Sequence, residues 1–137
     1  MNSPRIAKSK PPGKASDSVP NPEAILDASA VLAWLQEEPG ADVVDAVLDR
    51  AAISAVNAAE VLHKLISRGA TRENAQEIFD QISLPVLDFT EPMSRECAGL
   101  SHQKDLSLGD RACIATSLTL GIPVLSADQR WDRLALP

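Results

Sequence analysis

At 137 residues the chain is sized for one compact domain, and its net charge of −6 excludes indiscriminate binding to nucleic acid. No apolar run approaches the roughly 18 residues that a membrane-spanning helix needs, which excludes a membrane role. With 3% aromatic residues, no Tyr, and only Trp34, Phe79, Phe89 and Trp131, the core must be Leu, Val, Ile and Ala, a palette that suits an α/β domain with strands buried on both faces.

Residues 1–22 carry Arg5, Lys8, Lys10 and Lys14 against Asp17, a charge of +3 that leaves −9 on the remainder. Rich in Pro, Ser and Lys and without apolar periodicity, this segment cannot bury enough surface to offset its ordering entropy. It is expected to be a disordered basic extension to a folded domain over 23–137, and it has no apolar h-region of a secretory signal. Its lysines could hold RNA phosphates, although a solvated extension is the plainer reading.

From residue 24 onward, strand and helix signals alternate. Residues 24–26 form an apolar strand that runs straight into Asp27, and Ser29 is small enough to open the next helix, which carries Val31, Leu32, Trp34 and Leu35 and ends at 37–40. Residues 42–50 are expected to be a helix with Val43, Val44, Val47 and Leu48 on one side, and 51–54 a short buried strand. Asn57 and Glu60, spaced N-x-x-E ahead of Val61, Leu62, Leu65 and Ile66, signal a helix start with a capping box, and Gly69 closes that helix. Residues 71–83 form a further helix with Ala75, Ile78, Phe79 and Ile82 inward. A strand over 84–89 follows, confined by Pro85 to its first residues or an edge.

Thr90 is placed to cap a helix reaching His102. Ser107 and Asp110 repeat the cap-and-acid spacing at the head of a helix that carries Ala112, Cys113, Ala115, Leu118 and Thr119 and stops at Gly121. Residues 122–125 are the last clear strand. Arg130, Trp131 and Asp132 read as a turn or short helix, with an added edge strand over 133–136. Cys97 and Cys113 lie in helical patterns without metal-ligand spacing, as buried thiols of a reduced, cytoplasmic protein. His63, beside Lys64, and His102, in a polar loop, read as surface residues.

This alternation implies βαβ units, hence a parallel sheet whose strand ends all face one way. Asp27 and Asp128 each follow a strand, while Glu60 and Asp110 each sit in the first turn of a helix aimed at the same edge. Ligands of such sheets bind beyond the carboxyl ends of the strands, so four carboxylates are expected to converge there. A pair about 4 Å apart repels by roughly 4 kcal/mol at an effective dielectric of 20. A cation relieves that repulsion, and hard oxygen donors without clustered His or Cys select Mg²⁺ or Mn²⁺. The chemistry implied is phosphodiester hydrolysis by metal-activated water. Three of the acids also have structural uses: Glu60 with Asn57 and Asp110 with Ser107 as capping pairs, and Asp128 as a cap on the turn toward Trp131. Asp27 is the hardest to read as structural, since a carboxylate ending a central strand costs stability unless partnered. Arg111, Lys104, Arg130 or the tail could meet a substrate phosphate.

Four stretches, Ile25–Ala30, Ile53–Val61, Leu106–Cys113 and Pro123–Asp128, together resemble the PIN-domain ribonucleases, and among them the VapC-like toxins of bacterial type II toxin–antitoxin systems. The resemblance implies a three-layer α/β/α sandwich with a central parallel sheet of four to five strands. It also implies an Mg²⁺- or Mn²⁺-dependent endoribonuclease acting on structured RNA such as tRNA, a homodimer silenced by a cognate antitoxin. By it Asp27, Glu60 and Asp110 correspond to the core acids and Asp128 to a more variable fourth, with Ser29, Asn57 and Arg111 placed to support them or meet substrate. The basic extension departs from that family's pattern. A rival of another class is a non-catalytic PIN-like module binding RNA or protein, against which the retention of all four acids argues. A receiver-type phosphotransfer domain would need paired acids near the first strand and a lysine ending a later one. A haloacid dehalogenase would need an acid where Ser29 stands.

Overall fold

The computed structural model describes residues 21–128. The basic segment 1–20, the turn at Arg130, Trp131 and Asp132, and the strand expected over 133–136 lie outside the described residues.

Four strands form the sheet: β1 (Ala24–Leu26), β2 (Ala51–Ser54), β3 (Val86–Leu87) and β4 (Val124–Leu125). All pair in parallel in the order β3-β2-β1-β4. Two helices make each crossover: α1 (Ala28–Leu35) and α2 (Ala41–Val47), then α3 (Ala55–Ser67) and α4 (Arg72–Ile82), then α5 (Glu91–Ala98) and α6 (Leu108–Leu120). The chain steps outward from β1 to β3, then returns to the far side of β1 for β4. That reversal opens a crevice between the carboxyl ends of β1 and β4, the topological switch point where ligands of such sheets bind. Three layers result, because crossovers running in opposite directions lie on opposite faces of the sheet.

Alternation along the strands divides the core in two. Leu26, Ala51 and Ile53 face Val31, Trp34, Val61 and Phe79 on one side, whereas Ile25 and Ala52 face Cys113 on the other. Ile25, Leu26 and Ile53 are fully buried, each contributing about 1.5–3 kcal/mol by leaving water. Leu100, Leu106, Ile114 and Leu118 form a smaller cluster under the loop between α5 and α6.

Four local expectations are corrected. The 42–50 helix is α-helical only to Val47 and finishes as a 3-10 turn, Leu48–Arg50, with Val44 and Leu48 buried but Val43 half exposed. Asn57 and Glu60 make no capping box: α3 begins earlier, with Ser54 as its N-cap accepting from the Val56 N–H at 3.0 Å. Strand β2 therefore runs into α3 without a loop. Helix α5 stops at Ala98 rather than His102, with Gly99 as its cap. Cys97 is half-buried, not buried as Cys113 is. By contrast, the Ser107 and Asp110 capping box forms as the spacing implies, and α6 ends at Gly121 with φ +70°, a conformation that suits glycine. Strand β3 begins after Pro85 and lies at the sheet edge, as a residue without an N–H requires.

Candidate active site

Asp27 follows β1 directly and is the N-cap of α1. Its Oδ1 accepts the Ala30 N–H at 2.8 Å, which fixes the carboxylate over the first turn. Leu26 pairs with Leu125, so the next residues, Asp27 and Ser126, stand side by side on adjoining strands. The Ser126 hydroxyl donates to Asp27 Oδ2 at 2.6 Å, and the Ser29 hydroxyl donates to the same carboxylate at 2.8 Å. These hydroxyls are themselves oriented by the backbone beyond β4: the Ala127 N–H donates to Ser29 Oγ and the Asp128 N–H to Ser126 Oγ, at 3.1 and 2.9 Å. A carboxylate has about four acceptor sites, and these donors fill three, leaving room for a cation.

Glu60 and Asp110 come from different helices and are tied together by Asn57. Its Nδ2 donates to Glu60 Oε1 at 2.7 Å and to the Gly109 carbonyl at 3.0 Å, joining the first turns of α3 and α6. Asn57 is buried, and its Oδ1 has no hydrogen-bond partner among the described residues. Leaving such an oxygen unsatisfied costs about 1–3 kcal/mol, so an Asn is a poor choice here for stability alone. Gly109 completes the arrangement: a Cβ at this position would fall within the Glu60 carboxylate, so glycine lets that carboxylate keep its present place against α6. Asp110 follows at once, its Oδ2 accepting the Ser107 N–H at 3.0 Å.

Asp27, Glu60, Asp110 and Asp128 line one cleft of about 320 Å³, with Ser29 and Lys64 on its walls. The charges act on one another. Burial pushes the Asp27 carboxyl above its usual range, the Asp110 charge adds to this, and the bonds from Ser126, Ala30 and Ser29 oppose it. Below the cleft, the buried Cys113 thiol is pushed well up, first by burial and then by the charges of Asp27, Glu60 and Asp110. Among the described residues, no three His, Cys, Asp or Glu side chains stand close enough together to hold an ion as they are. The donor set nevertheless fits a hard divalent cation, since every ligand atom offered is a carboxylate oxygen.

Other expected residues lie elsewhere. Arg111 turns away from the cleft and donates to the Gln103 carbonyl at 3.1 Å, bracing the loop before α6. His102 and Lys104 are exposed on that loop, and His63 is exposed on α3. Sequence reasoning passed over Ser126, Gly109 and Lys64 as site residues. Lys64 carried a usable signal, because a residue four after Glu60 on a helix shares its face. Ser126 was legible only once β4 was known to neighbour β1. Gly109 read as part of a cap.

No curated protein matches the chain in sequence. The PIN domain family matches residues 24–136, and the chain belongs to that family. Among solved structures, a toxin–antitoxin complex from Klebsiella pneumoniae is similar with a TM-score of 0.63 and 13% identity, over 78% of this chain and 88% of that one. VapBC2 from Rickettsia felis, bound to a DNA fragment from its promoter, gives 0.64 and 15%, over 81% and 92%. FitAcB from Neisseria gonorrhoeae gives 0.61 and 20%, over 77% and 88%. These likenesses establish the shared fold, with its parallel sheet between two helical layers.

Proposed function

We propose that this member of the PIN domain family is an Mg²⁺- or Mn²⁺-dependent endoribonuclease that hydrolyses phosphodiester bonds in structured RNA such as tRNA, and that it is the toxin of a toxin–antitoxin pair. The observation that carries the reading is the convergence of Asp27, Glu60, Asp110 and Asp128 on one cleft at the switch point of the sheet. The fold shared with a protein described as a toxin–antitoxin complex supports the toxin role and a cognate antitoxin as partner; a homodimer and a cytoplasmic setting belong to the same reading and rest on the family resemblance of the sequence alone. Residues 23–137 would be the nuclease unit and 1–22 a separate basic extension.

In this reading the four acids hold the ion. A bound divalent cation would supply a water acidic enough to attack the phosphorus and would stabilise the leaving oxygen. Ser126 and Ser29 hold the Asp27 carboxylate in place, while Asn57 fixes Glu60 against α6. Lys64 offers an ammonium to the substrate phosphate from the cleft wall, a role for which Arg111, Lys104, Arg130 and the tail were the candidates in the sequence; Arg111 instead donates to the Gln103 carbonyl. Binding of substrate phosphate beside an acidic surface then rests on the cation and Lys64 together.

One observation favours a second reading, a non-catalytic PIN-like module that binds RNA or protein: the acids are not in ligating geometry as they stand. Thermal melting with Mg²⁺, Mn²⁺ or excess chelator separates the two. Nuclease chemistry requires that the ions raise the melting temperature of the wild type and much less that of Asp110→Asn, because a ligand stabilises the state it binds. Equal shifts in both proteins would favour the module.

A further inference from the structure

Beside the acidic cleft lies a second depression, of about 380 Å³, lined by Val56, Ala59 and His63 of α3 and by Leu108 of α6. It shares Glu60 and Lys64 with the cleft, so the two hollows adjoin. Their chemistry differs. The cleft is a nest of carboxylates, whereas this pocket has aliphatic walls and one imidazole. Leu108 is 71% exposed in the first turn of α6 and serves no part of the core.

We propose that this pocket receives the base of a nucleotide adjoining the scissile phosphate and so selects which base stands beside the cut. The proposal rests on the nuclease reading of the neighbouring cleft. A nucleotide has the same two-part chemistry as the two hollows: an anionic phosphate for the cation and Lys64, and next to it a flat, uncharged ring. Aliphatic walls accept the faces of that ring and the His63 imidazole offers a surface for stacking, the usual means of holding a splayed base. A base paired within a helix could not enter, because its faces are already stacked. An apolar side chain of a partner protein would also fill the walls, but only a nucleotide brings an anion to Lys64 and the cation of the cleft together with a ring for the pocket beside them.

The test has two arms, both with the full chain in Mg²⁺. In the first, the four nucleoside 5′-monophosphates are titrated in turn while the His63 ring and Leu108 methyl resonances are followed by NMR. In the second, cleavage is measured on hairpin RNAs that differ in the pairing and identity of the nucleotides flanking the cut, for the wild type, Ala59→Trp and Leu108→Ala. Ala59 is exposed, so the indole can fill the pocket without disturbing the core. We expect saturable shifts at His63 and Leu108, a preference among the bases flanking the cut, and for Ala59→Trp a KM raised about 10-fold with kcat little changed and base preference flattened. Leu108→Ala should weaken the same preference. Absence of shifts with every nucleotide, or an unchanged KM and preference in both variants, overturns the proposal. So does a change confined to the sedimentation of Ala59→Trp, which would mark the pocket as a protein contact. If His63 and Leu108 shift but the wild type cuts no RNA, the base pocket stands and the nuclease reading fails.

Discussion

The hydroxyl of Ser126 lies 2.6 Å from Asp27 Oδ2, although 99 positions separate the two residues in sequence. The contact exists because β4 crosses back to pair with β1, placing the residue after each strand side by side. Through it the loop that carries Asp128 is fastened to the acid that caps α1.

Removing that hydroxyl isolates its role. Ser126→Ala leaves Asp27 with the Ala30 N–H and Ser29 and should fold normally. Its affinity for Mn²⁺ is expected to fall about 10–100-fold, the usual cost of losing a partner that orients a metal ligand. Isothermal titration of the wild type and the variant checks this, and equal affinities would remove Ser126 from the site.

Gly109→Ala is expected to separate stability from activity. The backbone of Gly109 is helical, and alanine is favoured over glycine in helices by about 1 kcal/mol. The added methyl group, however, claims the space of the Glu60 carboxylate. Melting temperature should hold or rise while cleavage drops about 10–100-fold. A variant with full activity would show that Glu60 does not need its present position.

Asn57→Ala probes the same junction from α3. It removes the donor to Glu60 Oε1 and Gly109 O together with the unpartnered Oδ1, so the net change in stability should be modest, about 1–2 kcal/mol. Cleavage is expected to fall far more than stability. A loss of stability without loss of activity would make Asn57 a packing residue.

The raised Asp27 pKa fixes a pH dependence in metal-free protein. The unfolded carboxyl titrates near 3.9, and the buried one above that. Between the two values the folded state binds more protons, so stability falls as pH rises through this window and then levels off. Asp27→Asn lacks that contribution. Relative to the variant, the wild type should therefore lose melting temperature on going from pH 4 to neutrality in metal-free buffer, and Mn²⁺ should restore it. Parallel profiles would mean that burial does not load this carboxylate.

Much of this was legible in the sequence because its signals are local. Asp27 after an apolar run, the Ser107 and Asp110 spacing, Gly121 after α6 and Pro85 before β3 each act within a few residues, and the parallel direction of the strands follows from alternation alone, though not their order. What escaped depended on distant partners. Asn57 and Glu60 look like a capping box when α3 is read alone. Ser54 caps that helix instead, leaving the Asn57 amide to reach across to Gly109. Arg111 follows a site acid in sequence, yet the next position on a helix points elsewhere, here to the Gln103 carbonyl.

The most direct measurement is cleavage of total cellular RNA by the purified chain, free of any antitoxin, with Mg²⁺, with Mn²⁺ and with excess chelator, beside Asp110→Asn. Discrete fragments that require the ion, and that the variant yields at least about 100-fold more slowly, are the expected result, since losing a ligand should cost more than losing its outer support. Folded wild-type protein that cuts nothing under any of these conditions, or an Asp110→Asn protein of full activity, would contradict a carboxylate-held metal at the heart of the site.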